Sequence, residues 1–88
     1  MYDMSNERAF GQGDTLGGRI SLARAAKGIS VEDAANLNDV DPDVWTTWEN
    51  DRDAPAFHLL ETVALTLDVS LLWLLNGRGF GPTWRREV

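Results

Sequence analysis

At 88 residues the chain has room for one domain with a single modest core, which excludes a two-domain architecture. Apolar residues make up 43% and charged residues 25%, a globular balance, and the absence of cysteine excludes a disulfide framework or a thiolate metal site. The net charge of -6 weighs against any binding of nucleic acid that rests on bulk positive charge alone.

Residues 1–14 contain Gly11, Gly13 and several small polar residues without apolar periodicity, and are read as a flexible N-terminal arm. From Thr15 the pattern changes. Leu16, Ile20 and Ala23 recur at the spacing of an amphipathic helix, with Thr15 or Asp14 as its N-cap and Gly28 as its stop. Ser30, followed three residues later by Asp33, resembles a capping box and opens a second helix over about 31–37 that buries Ala34 and Ala35. Asn38 and Asp39 come next, and both tolerate the left-handed backbone of a sharp turn.

Asp41-Pro42-Asp43 places an N-cap, a proline at the first helical position and an acid facing the helix dipole in three consecutive residues. The third helix is expected from Pro42 to about Asn50, with Val40, Val44, Trp45 and Trp48 on its apolar side. A polar loop, Asn50 to Pro55, leads to a fourth helix marked by Phe57, Leu60, Val63, Ala64 and Leu67. Ser70 then caps a short fifth helix that supplies Leu71, Leu74 and Leu75 and stops at Asn76-Gly77. The expected plan is all-α: five helices within 15–77, and a C-terminal tail over 78–88 in which Phe80 and Trp84 are candidates to dock.

The second helix, a short turn and the third helix form a helix-turn-helix unit, whose second member enters the major groove of duplex DNA. The residues resemble one family closely: Leu16-Gly17-Gly18-Arg19-Ile20 through Arg24, Ile29-Ser30 through Ala35, Val40-Asp41 through Glu49, Pro55, and Val69 through Gly77. They are similar to the lambda-repressor-like, Cro-type helix-turn-helix family, the resemblance running from about Leu16 to Gly77. It implies a five-helix DNA-binding domain. It also implies a structural ion pair between Arg24 and Glu49, which fixes the packing of two helices more than it adds net stability.

The same resemblance implies a sequence-specific repressor-like regulator of transcription, with Asp43, Val44, Thr46 and Thr47 facing base edges. Arg19, Lys27, Asn50 and Arg52 would hold phosphates. An acid in the groove can accept from cytosine N4, and Val44 can touch a thymine methyl. Leu72 makes the fifth helix apolar on more than one side, so Leu72, Trp73 and Trp84 are the expected interface of a homodimer, spanning two half-sites about one DNA turn apart. The chain also departs from the family's pattern. Val31 stands where a phosphate-holding Gln is usual, and Asp39 and Asp51 replace two loop glycines.

Charge is unevenly distributed. Arg19, Arg24 and Lys27 are the charged residues from 15 to 28, whereas Glu32, Asp33, Asp39, Asp41, Asp43, Glu49, Asp51 and Asp53 face Arg52 alone from 30 to 53. That acidity supports a second expectation, an antitoxin-like or adaptor module that meets a basic protein partner. Asp39-x-Asp41-x-Asp43 has the start of a calcium loop, but Val44 and Asn50 occupy the positions that need glycine and glutamate. His58 has neither a second metal ligand nor a nucleophile to activate, so no enzyme and no cofactor are expected. The charged N-terminal residues Asp3, Glu7 and Arg8 and the lack of a long apolar run predict a soluble cytoplasmic protein without membrane contact.

Overall fold

A computed structural model describes Gly13 and residues 15–82, and among them every regular element is a helix. The helices are α1 (Leu16–Lys27), α2 (Val31–Leu37), α3 (Pro42–Glu49), α4 (Phe57–Leu67) and α5 (Leu71–Asn76). Local chemistry sets most of their ends. Thr15 and Ser30 accept from the backbone N–H of Gly18 and Asp33 respectively, each three residues on. Ser70 does the same for Trp73. Gly28 and Gly77 terminate α1 and α5 with φ of 80° and 81°, a conformation that glycine adopts without steric cost. At α3, Asp41 occupies the N-cap position and Pro42 the first turn, yet the Asp41 side chain makes no capping bond.

The turn between α2 and α3 divides its roles in a way composition does not show. Asp39 alone takes the left-handed conformation, at φ 61°, while Asn38 stays at φ -109° and turns its amide inward. Asn38 is only 4% exposed, and its Nδ2 donates to Ala34 O at 2.9 Å and to Thr66 Oγ1 of α4 at 3.2 Å. The turn is therefore tied to the body of the domain. Asp51, after α3, also stands at φ 60°, so both aspartates at the family's glycine positions keep a left-handed corner.

α1 packs against α3, α4 and α5, and α2 rests on α3. Ile20, Trp45, Val63, Leu67 and Leu74 are the largest fully enclosed side chains of the core, with Ala34 and Ala35 giving α2 the close approach that a Trp45-filled interior requires. Trp45 and Trp48 lie 5.4 Å apart, centroid to centroid, at a 51° tilt. Three expected core positions prove to be exposed. Val44, Phe57 and Leu75 sit at the outer margins of their helices: periodicity marks an apolar direction, but a side chain is covered only where a neighbouring helix reaches it.

Candidate nucleic-acid interface

α3 is held from behind. Successive helical positions lie about 100° apart, so Trp45 and Trp48 share the inner side, while Asp43 and Thr47, two residues either side of Trp45, point almost directly away from it. Asp43, Val44, Thr46 and Asn50 are exposed and Thr47 is half-buried. Val44 and Thr46, two positions apart, flank that outward line on opposite sides. The Thr47 hydroxyl donates to Val44 O at 2.7 Å, so its proton is committed to the helix's own backbone.

Glu49 fixes the angle of α3 against α1. Arg24 donates from Nε to Glu49 Oε2 at 2.5 Å and from Nη2 to Oε1 at 3.1 Å, a two-pronged contact that a planar guanidinium suits. Trp45 Nε1 adds a bond to Glu49 Oε2 at 2.6 Å, and Arg24 Nη1 reaches Ile29 O at 2.9 Å. Hydrogen bonding to Glu49, reinforced by the charges of Glu49 and Glu32 against the opposing effect of burial, raises the Arg24 pKa above its ordinary value.

One cation differs from expectation. Arg19, expected at a phosphate, is instead turned into the domain: it is 7% exposed, and its guanidinium donates to Leu74 O (2.8 Å), Leu75 O (2.8 Å) and Gly13 O (2.9 Å). The bonds to Leu74 O and Leu75 O satisfy carbonyls at the C-terminal end of α5, where the helix dipole also favours a positive charge. Lys27 remains exposed, 3.7 Å from Asp68 in a solvent-facing ion pair. Arg52 is exposed beside the end of α3, where its backbone N–H donates to Thr47 O at 2.9 Å.

Asp51 is tied into the fold. Its carboxylate accepts from Thr15 Oγ1 at 2.8 Å and from the Gly17 backbone N–H at 2.9 Å, closing the start of α1. A Cβ on Gly17 would run into Trp48 O and that same carboxylate. Sequence reasoning missed both this contact and the burial of Arg19. The available signal was the unbranched Gly17-Gly18 pair inside an otherwise ordinary helix, which marks a close approach by another segment.

On α5, Leu72 is 53% exposed and Trp73 half-buried. The segment after α5 folds back over this helix: Ser70 N–H donates to Phe80 O at 2.9 Å, and a Cβ on Gly81 would press on the Trp73 indole. Trp84, expected to join the same surface, lies outside the described residues. No helix among the described residues is long and apolar enough to cross a membrane.

The arrangement matches solved structures. The P22 c2 repressor protein, determined in complex with a synthetic operator, is 23% identical, with a TM-score of 0.70 over 74% of this chain and 98% of the repressor chain. The clp gene regulator ClgR from C. glutamicum is 25% identical, with a TM-score of 0.64 over 72% of this chain and 82% of its own. The N-terminal DNA binding domain of SinR from Bacillus subtilis is 32% identical, with a TM-score of 0.62 over 67% of this chain and 87% of that domain. The chain belongs to the lambda-repressor-like helix-turn-helix family. No family model and no curated protein matches it. Within this helix-turn-helix, α2 is the supporting helix and α3 the one whose free face is available to a groove.

Proposed function

We propose that the chain is a sequence-specific, repressor-like regulator of transcription that lays α3 in the major groove of duplex DNA and acts in the cytoplasm without catalysis. One observation carries the reading. α3 is locked on its inner side by Trp45, Trp48 and the Arg24–Glu49 pair, while Asp43, Val44, Thr46 and Thr47 line its outer side. Lys27, Asn50 and Arg52 are the residues proposed to hold phosphates. The three solved relatives, a repressor bound to operator, a gene regulator and a DNA binding domain, support the same use of the fold.

A two-fold homodimer through α5 is part of the proposal, because Leu72 and Leu75 remain exposed on that helix. Leu72→Glu should convert a sedimenting dimer into a monomer; a wild-type chain that sediments as a monomer at high concentration removes the dimer from the scheme. The DNA-binding reading is tested by retention of a random duplex pool at low salt, about 50 mM. Salt-sensitive retention is expected.

A second reading has its own observation. Glu32, Asp33, Asp39, Asp41 and Asp43 are all exposed on and around the α2–α3 unit, a surface that also suits a basic protein partner. Failure to retain any duplex, with capture of a basic protein in the absence of DNA, selects this reading.

A further inference from the structure

Resting on the DNA-binding reading above, we infer that α3 reads cytosine next to a methyl group. Its recognition surface complements a major-groove edge that presents an amino donor flanked by a methyl, and it disfavours guanine in place of that cytosine. The inference starts from what the outward face of α3 can and cannot give. Asp43, Val44 and Thr47 stand at positions i, i+1 and i+4 and so form one contiguous patch near the helix N-terminal end, the part that approaches base edges in this motif.

That patch contains no hydrogen-bond donor. Val44 has only methyl groups, the Thr47 hydroxyl proton is held by Val44 O, and Asp43 is an acceptor to which no donor among the described residues is bonded. α3 carries no Arg, Lys or Gln at all. Guanine offers the major groove two acceptors, N7 and O6, and needs donors opposite them. Asp43, Val44 and Thr47 have none to give, and the single exposed hydroxyl of Thr46, three positions from Asp43, cannot serve both acceptors.

Two bases present an amino donor there, cytosine through N4 and adenine through N6. Adenine sets its N7 acceptor beside N6, where it would face the second oxygen of Asp43 and repel it. Cytosine sets a carbon-bound hydrogen at C5 on one side of N4 and leaves only its paired guanine O6 on the other, whereas the adenine amino group lies between two acceptors, N7 and the paired thymine O4. Val44, 38% exposed and adjacent to Asp43, then supplies an apolar surface for a methyl lying alongside. Two sources present that chemistry: a cytosine stacked on a neighbouring thymine, or a single 5-methylcytosine, which carries the amino donor and the methyl on the same base.

The experiment is selection of duplexes from a random pool by the full chain, followed by titration of the best duplex with cytosine, 5-methylcytosine, adenine, guanine or thymine at the assigned position. The expected result is a half-site in which cytosine is preferred over adenine by roughly tenfold, the scale of one good base contact. Asp43→Asn should move that preference to adenine, because an amide can accept from N6 and donate to N7 together. Val44→Ser should abolish the methyl preference while leaving the cytosine preference in place. If 5-methylcytosine replaces a cytosine-thymine step without loss, the methyl is the cytosine's own; if only the thymine neighbour strengthens binding, the methyl is thymine's.

Selected sites whose base preference at every position is unchanged by Asp43→Asn, or in which neither methyl alters affinity, would overturn the inference while leaving DNA binding intact. A pool from which no duplex is retained overturns the DNA-binding reading itself, and this one with it. Circular dichroism of both variants is expected to match the parent, since Asp43 and Val44 are exposed and uninvolved in the core.

Discussion

The Asp51 carboxylate lies 2.9 Å from the backbone N–H of Gly17, joining the loop after α3 to the first turn of α1 across 34 positions of sequence. With the Thr15 hydroxyl on its other oxygen, it does for α1 what an N-cap does locally, and it does so from another element. The C-terminal end of α3 is thus joined to α1 at two points, here and at Arg24–Glu49.

Replacing Asp51 with Ala should cost about 2 kcal/mol, because it leaves a helix N-terminal donor without its partner and removes the short polar side chain that makes a left-handed corner tolerable. Asp51→Asn should cost less than half of that, since asparagine tolerates the corner and retains an acceptor. Chemical denaturation monitored by tryptophan fluorescence measures both; no loss in either variant would mean that the carboxylate contacts contribute nothing.

Gly17→Ala reverses the usual rule. In an open helix alanine would gain roughly 1 kcal/mol over glycine, but here its Cβ meets Trp48 O and Asp51, and a net loss of about 2 kcal/mol is expected. A Cβ added at Gly13 would meet nothing within 4 Å, so Gly13→Ala serves as the control, with no such loss. Thermal unfolding of the two variants separates the cases.

Glu49→Ala should cost about 3 kcal/mol, since it strips a counter-charge from Arg24 and an acceptor from the Trp45 indole at once. For pH the sign is definite. The Arg24 pKa is raised, so the stability it contributes is fully present below its unfolded value and is lost only as pH climbs through the still higher folded one. A stability profile taken from neutral pH to pH ~10 should show no decline from this pair, that range lying below the unfolded arginine value. A titration step in that range that vanishes in Glu49→Ala would contradict this.

Arg19 and Arg52 should separate stability from binding. Arg19→Lys cannot reproduce a planar fork that serves Leu74, Leu75 and Gly13 carbonyls, and is expected to lose about 2 to 3 kcal/mol of stability. Below its melting temperature it should keep the parent's salt dependence on DNA. Arg52→Ala should do the opposite, leaving folding nearly unchanged and lowering the slope of log affinity against log salt by about one.

The helices were legible in the sequence because their signals are short-range: Ser30, Pro42, Ser70, Gly28 and Gly77 each act within three or four residues of themselves. The pairing of Arg24 with Glu49 was legible through likeness to a known family, since 25 positions separate the partners and periodicity cannot connect them. Arg19 misled for a physical reason. A cation near the start of an amphipathic helix ordinarily points to water, and only the arrival of the α5 C-terminus, 55 positions later, makes burial favourable. Val44, Phe57 and Leu75 misled in the other direction, as apolar residues on the edge of a stripe that the neighbouring helices do not fully cover.

The left-handed corners carry a final implication. Asp39, Asp51 and Asp68 all sit at positive φ, where glycine would fit with less strain but would leave the unfolded chain freer. Part of the molecule's acidity is thus a by-product of steering the backbone, distinct from any field directed at a ligand. Asparagine can hold the same bends without charge, so exchanging Asp39 and Asp68 for it would make the protein less anionic while its path through space stays fixed. The route of the chain and its electrostatic character can be engineered one at a time.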